Sequence, residues 1–207
     1  MSKTANKTGK KSDKEPRTYP RMVTCDGREV EIRYMKAGDE AAVLAFARGL
    51  PTHDLLFLRR DITQEKVVAA WIRDIEAGTI TSLLAVRDGT VLGCAALVRD
   101  EFSWSPHVGD IRVVVTPEMR GQGLGRVLVQ DSFALALAMG LEKLTALMTV
   151  DQRGAIAVFE GLGFRGEALM RDHVRDRDGT KYDIVILSHD VAEFGSQMEA
   201  YGLTEAF

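Results

Sequence analysis

The sequence predicts an α/β (α+β) chain: one mixed, mostly antiparallel central sheet with helices on both faces. Three observations predict it. Apolar residues alternate with a strand period in some stretches and recur with a helical period in others. Two connections that carry helices, around 120–140 and 151–163, lie between strands, and the first can make its flanking strands parallel neighbours through a crossover. Asp26-Gly27 and Asp88-Gly89 mark tight turns of the kind that join antiparallel strands.

Taken in order, residues 1–20 carry Lys3, Lys7, Lys10, Lys11, Lys14 and Arg17 against Asp13 and Glu15, with no apolar periodicity, and read as a disordered basic tail. Val23 and Val30 to Arg33 flank Asp26-Gly27 and make a short hairpin or one edge strand. Asp39 can cap a helix from Glu40 to Arg48 that ends near Gly49. His53 and Asp54 can open a short helical turn carrying Leu55, Leu56 and Leu58. Thr63 then caps an amphipathic helix over 64–77, in which Val67, Val68, Trp71, Ile72 and Ile75 recur at helical spacing. Strands follow over Ile80 to Val86, Val91 to Arg99 and Val108 to Val115. Leu124 to about Met139 is a helix, Leu144 to Val150 a strand, and Gly154 to Leu162 a second helix stopped by Gly163. A hairpin of Arg165 to Val174 and Tyr182 to Ser188 closes the domain, which spans 21–190. Arg171, His173 and Arg175 read as its solvated face, and residues 191–207 as a short helix or a frayed end.

Composition bounds the function. The 207 residues are 45% hydrophobic and 28% charged with a net charge of -3, which fits a soluble globular domain and offers no nucleic-acid signature. Met1 to Pro20 lacks the apolar core of a signal peptide, and no apolar run reaches membrane-spanning length. Cys25 and Cys94 define no disulfide framework, so a reducing, cytoplasmic setting is expected. Four histidines and two cysteines are scattered without metal-ligand spacing, and no metal site is expected.

The chemistry concentrates in Ile111 to Gly125. A Val-rich strand ends at Pro117, and Arg120-Gly121-Gln122-Gly123-Leu124-Gly125 then opens a helix. Such a loop presents unpaired backbone N–H groups with the positive end of the helix dipole behind them, which suits a phosphate. Three missing side chains let a pyrophosphate approach the backbone. The stretch is neither a P-loop, having no Gly-Lys-Ser/Thr, nor a dinucleotide fingerprint, whose glycine spacing differs.

On these residues the sequence resembles the GNAT (Gcn5-related) N-acetyltransferase superfamily. The family signature, Gln or Arg, two residues, Gly, one residue, Gly or Ala, is met by Arg120, Gly123 and Gly125. A later helix ending in Gly-Phe is met by Gly163-Phe164, and the order of elements agrees from about Val30 to Ser188. The opening, with Asp26-Gly27, Val30 to Arg33 and Asp39-Glu40, resembles more specifically the acetyltransferase domain of bacterial protein-lysine acetyltransferases. The resemblance implies acetyl-CoA as cosubstrate and an amine acceptor, a protein lysine or a small molecule, in a monomer or homodimer without membrane or nucleic-acid partners. It implies that Arg120, Gly121, Gln122, Gly123, Leu124 and Gly125 cradle the pyrophosphate. It also implies that Val113 and Val115 meet the pantetheine arm by main chain, between two splayed parallel strands. The family's usual Asn near the start of the later helix is absent; Asp151, Gln152 or Arg153 stands there.

Acetyl transfer to an amine needs a proton acceptor, a polarised thioester carbonyl and a stabilised thiolate. Asp110, in the strand before the glycine loop, is the expected base, where family members often have Glu; Glu101, His107 and His53 are alternatives. Many members place a Tyr acid in the later helix, but here that position is Phe159, which has no hydroxyl and is expected at the thioester end of the cofactor. Its chemistry leaves two readings: an enzyme whose thiolate departs unaided, or a non-catalytic acyl-CoA-binding or sensory module. Phe102 and Trp104 are expected either to contact substrate or to cap the core.

Overall fold

A computed structural model describes residues 17–191. Residues 1–16 of the basic tail and 192–207 of the C-terminal stretch lie outside them. Eight strands form one sheet in the order β1-β2-β3-β4-β5-β6-β8-β7. They are β1 (Arg21–Cys25), β2 (Arg28–Tyr34), β3 (Ile80–Arg87), β4 (Thr90–Val98), β5 (Val108–Val115), β6 (Lys143–Thr149), β7 (Arg165–Arg175) and β8 (Lys181–Asp190). Every pairing is antiparallel except β5 with β6. The first turn settles the open alternative as a hairpin: Asp26 and Gly27 have φ of 50° and 70°, and Asp88 and Gly89 repeat the pattern at 50° and 76°. Two successive positive φ values match the right-handed twist of the flanking strands.

Helices α1 (Glu40–Arg48) and α2 (Glu65–Glu76) cover one face of the sheet; α3 (Leu124–Ala138) and α4 (Arg153–Glu160) cover the other. The alternation of β3 shows the division. Leu84 faces Val43, Phe46, Val68 and Ile72, whereas Leu83 and Ala85 face Leu124 and Leu128. The central strands β3 and β4 are buried on both faces, which explains their unbroken apolar runs. The edge strand β7 is exposed along nearly its whole length.

Both expected helix caps are reassigned. Asp39 occupies the N-cap of α1 but makes no side-chain cap bond. Its carboxylate instead accepts from Arg33 Nη1 and Nη2 at 2.8 and 2.7 Å and from the Lys36 N–H at 2.9 Å. The Arg33 hydrogen bonds hold the Asp39 carboxyl below its ordinary range, against the opposing effect of burial. A depressed carboxyl stabilises the fold above its unfolded value, about pH 4, and the contribution is lost as pH falls through the lower folded value. Arg33→Met is therefore expected to cost about 2 kcal/mol at pH 7, with a gap to wild type that narrows below pH 4 in urea unfolding. Thr63 does not cap α2 either. Gln64 is the N-cap, and the Thr63 hydroxyl donates to Asp61 Oδ1 at 2.7 Å.

One tertiary contact had no sequence signal. Asp131 lies fully buried within α3 and pairs with Arg17 and Arg21, the latter at 2.7 Å. Arg17, from the stretch read as tail, thus sits on the domain. Burial, with Asp131 close by, holds the Tyr19 phenol far above its ordinary value.

Candidate active site

The parallel pair β5–β6 runs for only three residues on each strand: Val108 with Lys143, Gly109 with Leu144, Asp110 with Thr145. Beyond Asp110 the strands part. β5 stays paired to β4 as far as Val115, and β6 stays paired to β8 as far as Thr149. The sheet therefore forks. Gly109 sits at the apex, where an added Cβ would meet methyls of Leu141, Leu97 and Leu144 at 2.7, 2.9 and 3.0 Å.

A cavity of about 400 Å³ fills the fork. Ile111, Val113, Val114 and Val115 form one wall and Leu147 and Met148 the other. The start of α4 supplies Asp151 to Ala155 and, deeper, Phe159. The short 3-10 helix Thr52–Leu55 contributes His53 and Asp54 on the remaining side, with Phe57 just after it. Arg120 reaches in from the glycine loop.

The loop is built as an anion cradle. Gly123 is the N-cap of α3 with φ 85°, and no side chain caps the helix. Gly121 has φ 73°. A Cβ placed at Gly121, Gly123 or Gly125 would meet nothing within 4 Å, so the space over this backbone is open. The first-turn N–H groups of α3 have no intrahelical acceptor and face that opening with the helix dipole behind them. A pyrophosphate fits this cradle, and the apolar fork beside it suits an extended pantetheine arm.

The structure distributes the expected residues unevenly. Arg120 lines the cavity, but its guanidinium is paired with Asp54. Gln122 turns its amide to the Glu118 carbonyl at 2.7 Å, which closes the loop and leaves its backbone for a ligand. The Leu124 side chain is fully buried in the core. Val113, Val115 and Phe159 all line the cavity, and Phe159 packs edge-to-face on Phe164 at 5.0 Å. Asp110 stands at the last paired position of the fork and is not among the lining residues. Its Oδ2 is 2.9 Å from Arg112 Nε and 2.8 Å from Arg112 Nη2, and its Oδ1 is buried without a partner. Glu101 is paired with Arg99. His107 is exposed and serves through its carbonyl, which accepts the N–H groups of Glu142 and Lys143. Phe102 and Trp104 are fully exposed, so neither caps the core, and neither reaches the cavity. Asp151, Gln152 and Arg153, from the region where the resemblance implies an Asn, all line the cavity. Among the described residues no group of three or more His, Cys, Asp or Glu could hold a metal, and no helix is long and apolar enough to cross a membrane.

The model of the acetyltransferase (GNAT) family matches residues 34–164, which takes in the fork, the glycine loop and Gly163-Phe164. The chain belongs to this family. Among curated proteins it is 25% identical, over 83 residues, to YwnH of Bacillus subtilis (strain 168), by name a provisional phosphinothricin acetyltransferase. The match spans 40% of this chain and half the length of that relative. The fold is shared with a GNAT-superfamily phosphinothricin acetyltransferase of Sinorhizobium meliloti solved with acetyl-CoA, at a TM-score of 0.67 and 18% identity over 78% of this chain and 88% of that one. It is shared equally with the Salmonella typhimurium yncA structure, solved with acetyl-CoA, at a TM-score of 0.67 and 20% identity over 78% and 94%. The GNAT domain of S. lividans PAT matches at a TM-score of 0.66 and 16% identity over 82% of this chain and 96% of that one. These likenesses show the fold.

Proposed function

We propose that this GNAT domain binds acetyl-CoA and moves its acetyl group to a primary amine, on a protein lysine or a small molecule, by direct attack on the thioester. One observation supports it above the rest: Arg120, at the start of the uncapped glycine loop, lines the cavity of the forked strands, so one elongated ligand can reach from fork to loop. In this reading the loop backbone from Arg120 to Gly125 holds the pyrophosphate. The main chain of Val113 and Val115, on a strand edge that β6 has left, pairs with the pantetheine amides. Phe159 closes the thioester end by packing.

The fork excludes water from apolar walls and sets the thioester beside the acceptor, and proximity supplies much of the rate for an ester already activated. Phe159 offers no proton, so the thiolate departs unaided, as a thiol of ordinary pKa about 8.5 can. Asp110, the base expected from the sequence, lies outside the cavity wall and has no direct path to the amine. A second reading rests on the same Phe159 and the missing Asn: a domain that binds acyl-CoA and does not turn it over.

Thiol release from acetyl-CoA separates the two. Release that depends on an added amine, across a set comprising a lysine peptide, spermidine and phosphinothricin, is the expected result. Binding of acetyl-CoA with no amine-dependent release over that set points to the second reading.

A further inference from the structure

His53 and Asp151 meet across the mouth of the fork. His53 lies on the 3-10 helix between α1 and α2; Asp151 lies between β6 and α4. His53 Nε2 is 2.9 Å from Asp151 Oδ2 and 3.4 Å from Thr149 Oγ1. The ring packs on Tyr182 of β8 at 4.8 Å. Three elements thus fix the imidazole, while both His53 and Asp151 line the cavity. The neighbouring Asp54 is held by Arg120, so the 3-10 helix is tied to both arms of the fork. A carboxylate beside Nε2 favours the tautomer with its proton there, which leaves the Nδ1 lone pair as the proton acceptor. No described residue bonds Nδ1. Asp110 lacks this position in the wall and has one oxygen taken by Arg112.

We propose that His53 is the proton acceptor of the transfer reaction, positioned by Asp151. The inference rests on the acetyltransferase reading and assigns its base. His53 Nδ1 takes a proton from the bound ammonium. The amine lone pair forms the C–N bond, the C–S bond breaks, and its electron pair leaves on sulfur. The second proton released by nitrogen neutralises the thiolate, and the proton on His53 passes to water. The charged groups around the ring are Asp151, the Asp54–Arg120 pair and Arg153. The Tyr182 phenol is shifted up from its ordinary value by burial and then by Asp176, Asp178 and Asp151.

The test uses the full chain, acetyl-CoA and n-butylamine, with rates from pH 5.5 to about 9. In the wild type the rate levels within this span, because the ammonium form binds and His53 deprotonates it. His53→Gln is expected to be about 100-fold slower at pH 7 and to keep rising to the top of the range, following free amine in solution. Asp151→Asn lowers the plateau about tenfold, and Asp151→Glu recovers part of it, which a purely structural contact would not do. Calorimetry with acetyl-CoA shows each variant folded and loaded. A wild type that binds acetyl-CoA yet matches His53→Gln in rate and profile overturns the inference. So does a plateau that survives in His53→Gln and disappears in Asp110→Asn. A wild type that binds no acetyl-CoA overturns the acetyltransferase reading and this inference with it.

Discussion

Gly123→Glu is expected to weaken acetyl-CoA binding at least about 100-fold, by placing a carboxylate where the cradle takes a pyrophosphate. Two effects act together at this position. The backbone has φ 85°, which an L side chain adopts at about 1–2 kcal/mol. The side chain then enters space that no atom of the protein fills. Gly125→Ala separates these effects. Gly125 lies in the first turn of α3, outside the set of positive-φ residues, and its added methyl meets nothing within 4 Å. Alanine favours the helix over glycine by about 0.5–1 kcal/mol. The protein should therefore unfold at equal or higher urea concentration while binding acetyl-CoA several-fold less tightly. Loss of binding with unchanged or improved stability marks the glycine as a ligand contact. Unchanged binding would make it only a helix residue.

The second large effect is on stability. Gly163→Ala is expected to cost about 3 kcal/mol, combining the left-handed penalty with overpacking. Gly163 has φ 92°, and an added Cβ would lie 2.8 Å from His189 Nε2 and 3.2 Å from its Cδ2. That ring cannot step aside easily. It is buried and packed edge-on against Phe133 at 5.0 Å and Phe164 at 5.2 Å. Phe164 is itself fully buried and touches Phe159 at the wall of the cavity. A shift of His189 would therefore reach Phe159 and the wall of the cavity. The check is the midpoint of urea unfolding at constant slope; a change under about 0.5 kcal/mol would mean the glycine is not required.

How much of this was legible without coordinates differs by residue type. The element order was legible because period and turn chemistry agree: Asp26-Gly27 and Asp88-Gly89 announce hairpins, and Gly121 to Gly125 announces a loop opening a helix. The sheet's division into two faces follows from the alternation of β3. Long-range polar choices were not legible. Asp39 and Thr63 have the right chemistry for caps, but Arg33 takes the Asp39 oxygens, and the Thr63 hydroxyl, one residue before the N-cap Gln64, donates to Asp61 instead. Nothing in the helical pattern of α3 says that Asp131 is buried, because its partners Arg17 and Arg21 lie more than a hundred residues earlier. The site shows the same limit. The glycine loop is local in sequence, and its place at the start of a helix follows from that stretch alone. The His53–Asp151 contact joins the 3-10 helix between α1 and α2 to the segment after β6, about a hundred residues on in the chain, and no local pattern announces it. Asp110 was singled out by its place in the strand, yet neighbouring Arg112 occupies it and the wall of the cavity begins one residue later.

Whether fork and loop form one acetyl-CoA site is tested most directly by a calorimetric titration of the wild-type chain with acetyl-CoA. Saturable binding at one site per chain is expected. A flat titration, with no saturable heat under conditions where the protein is folded, would contradict it.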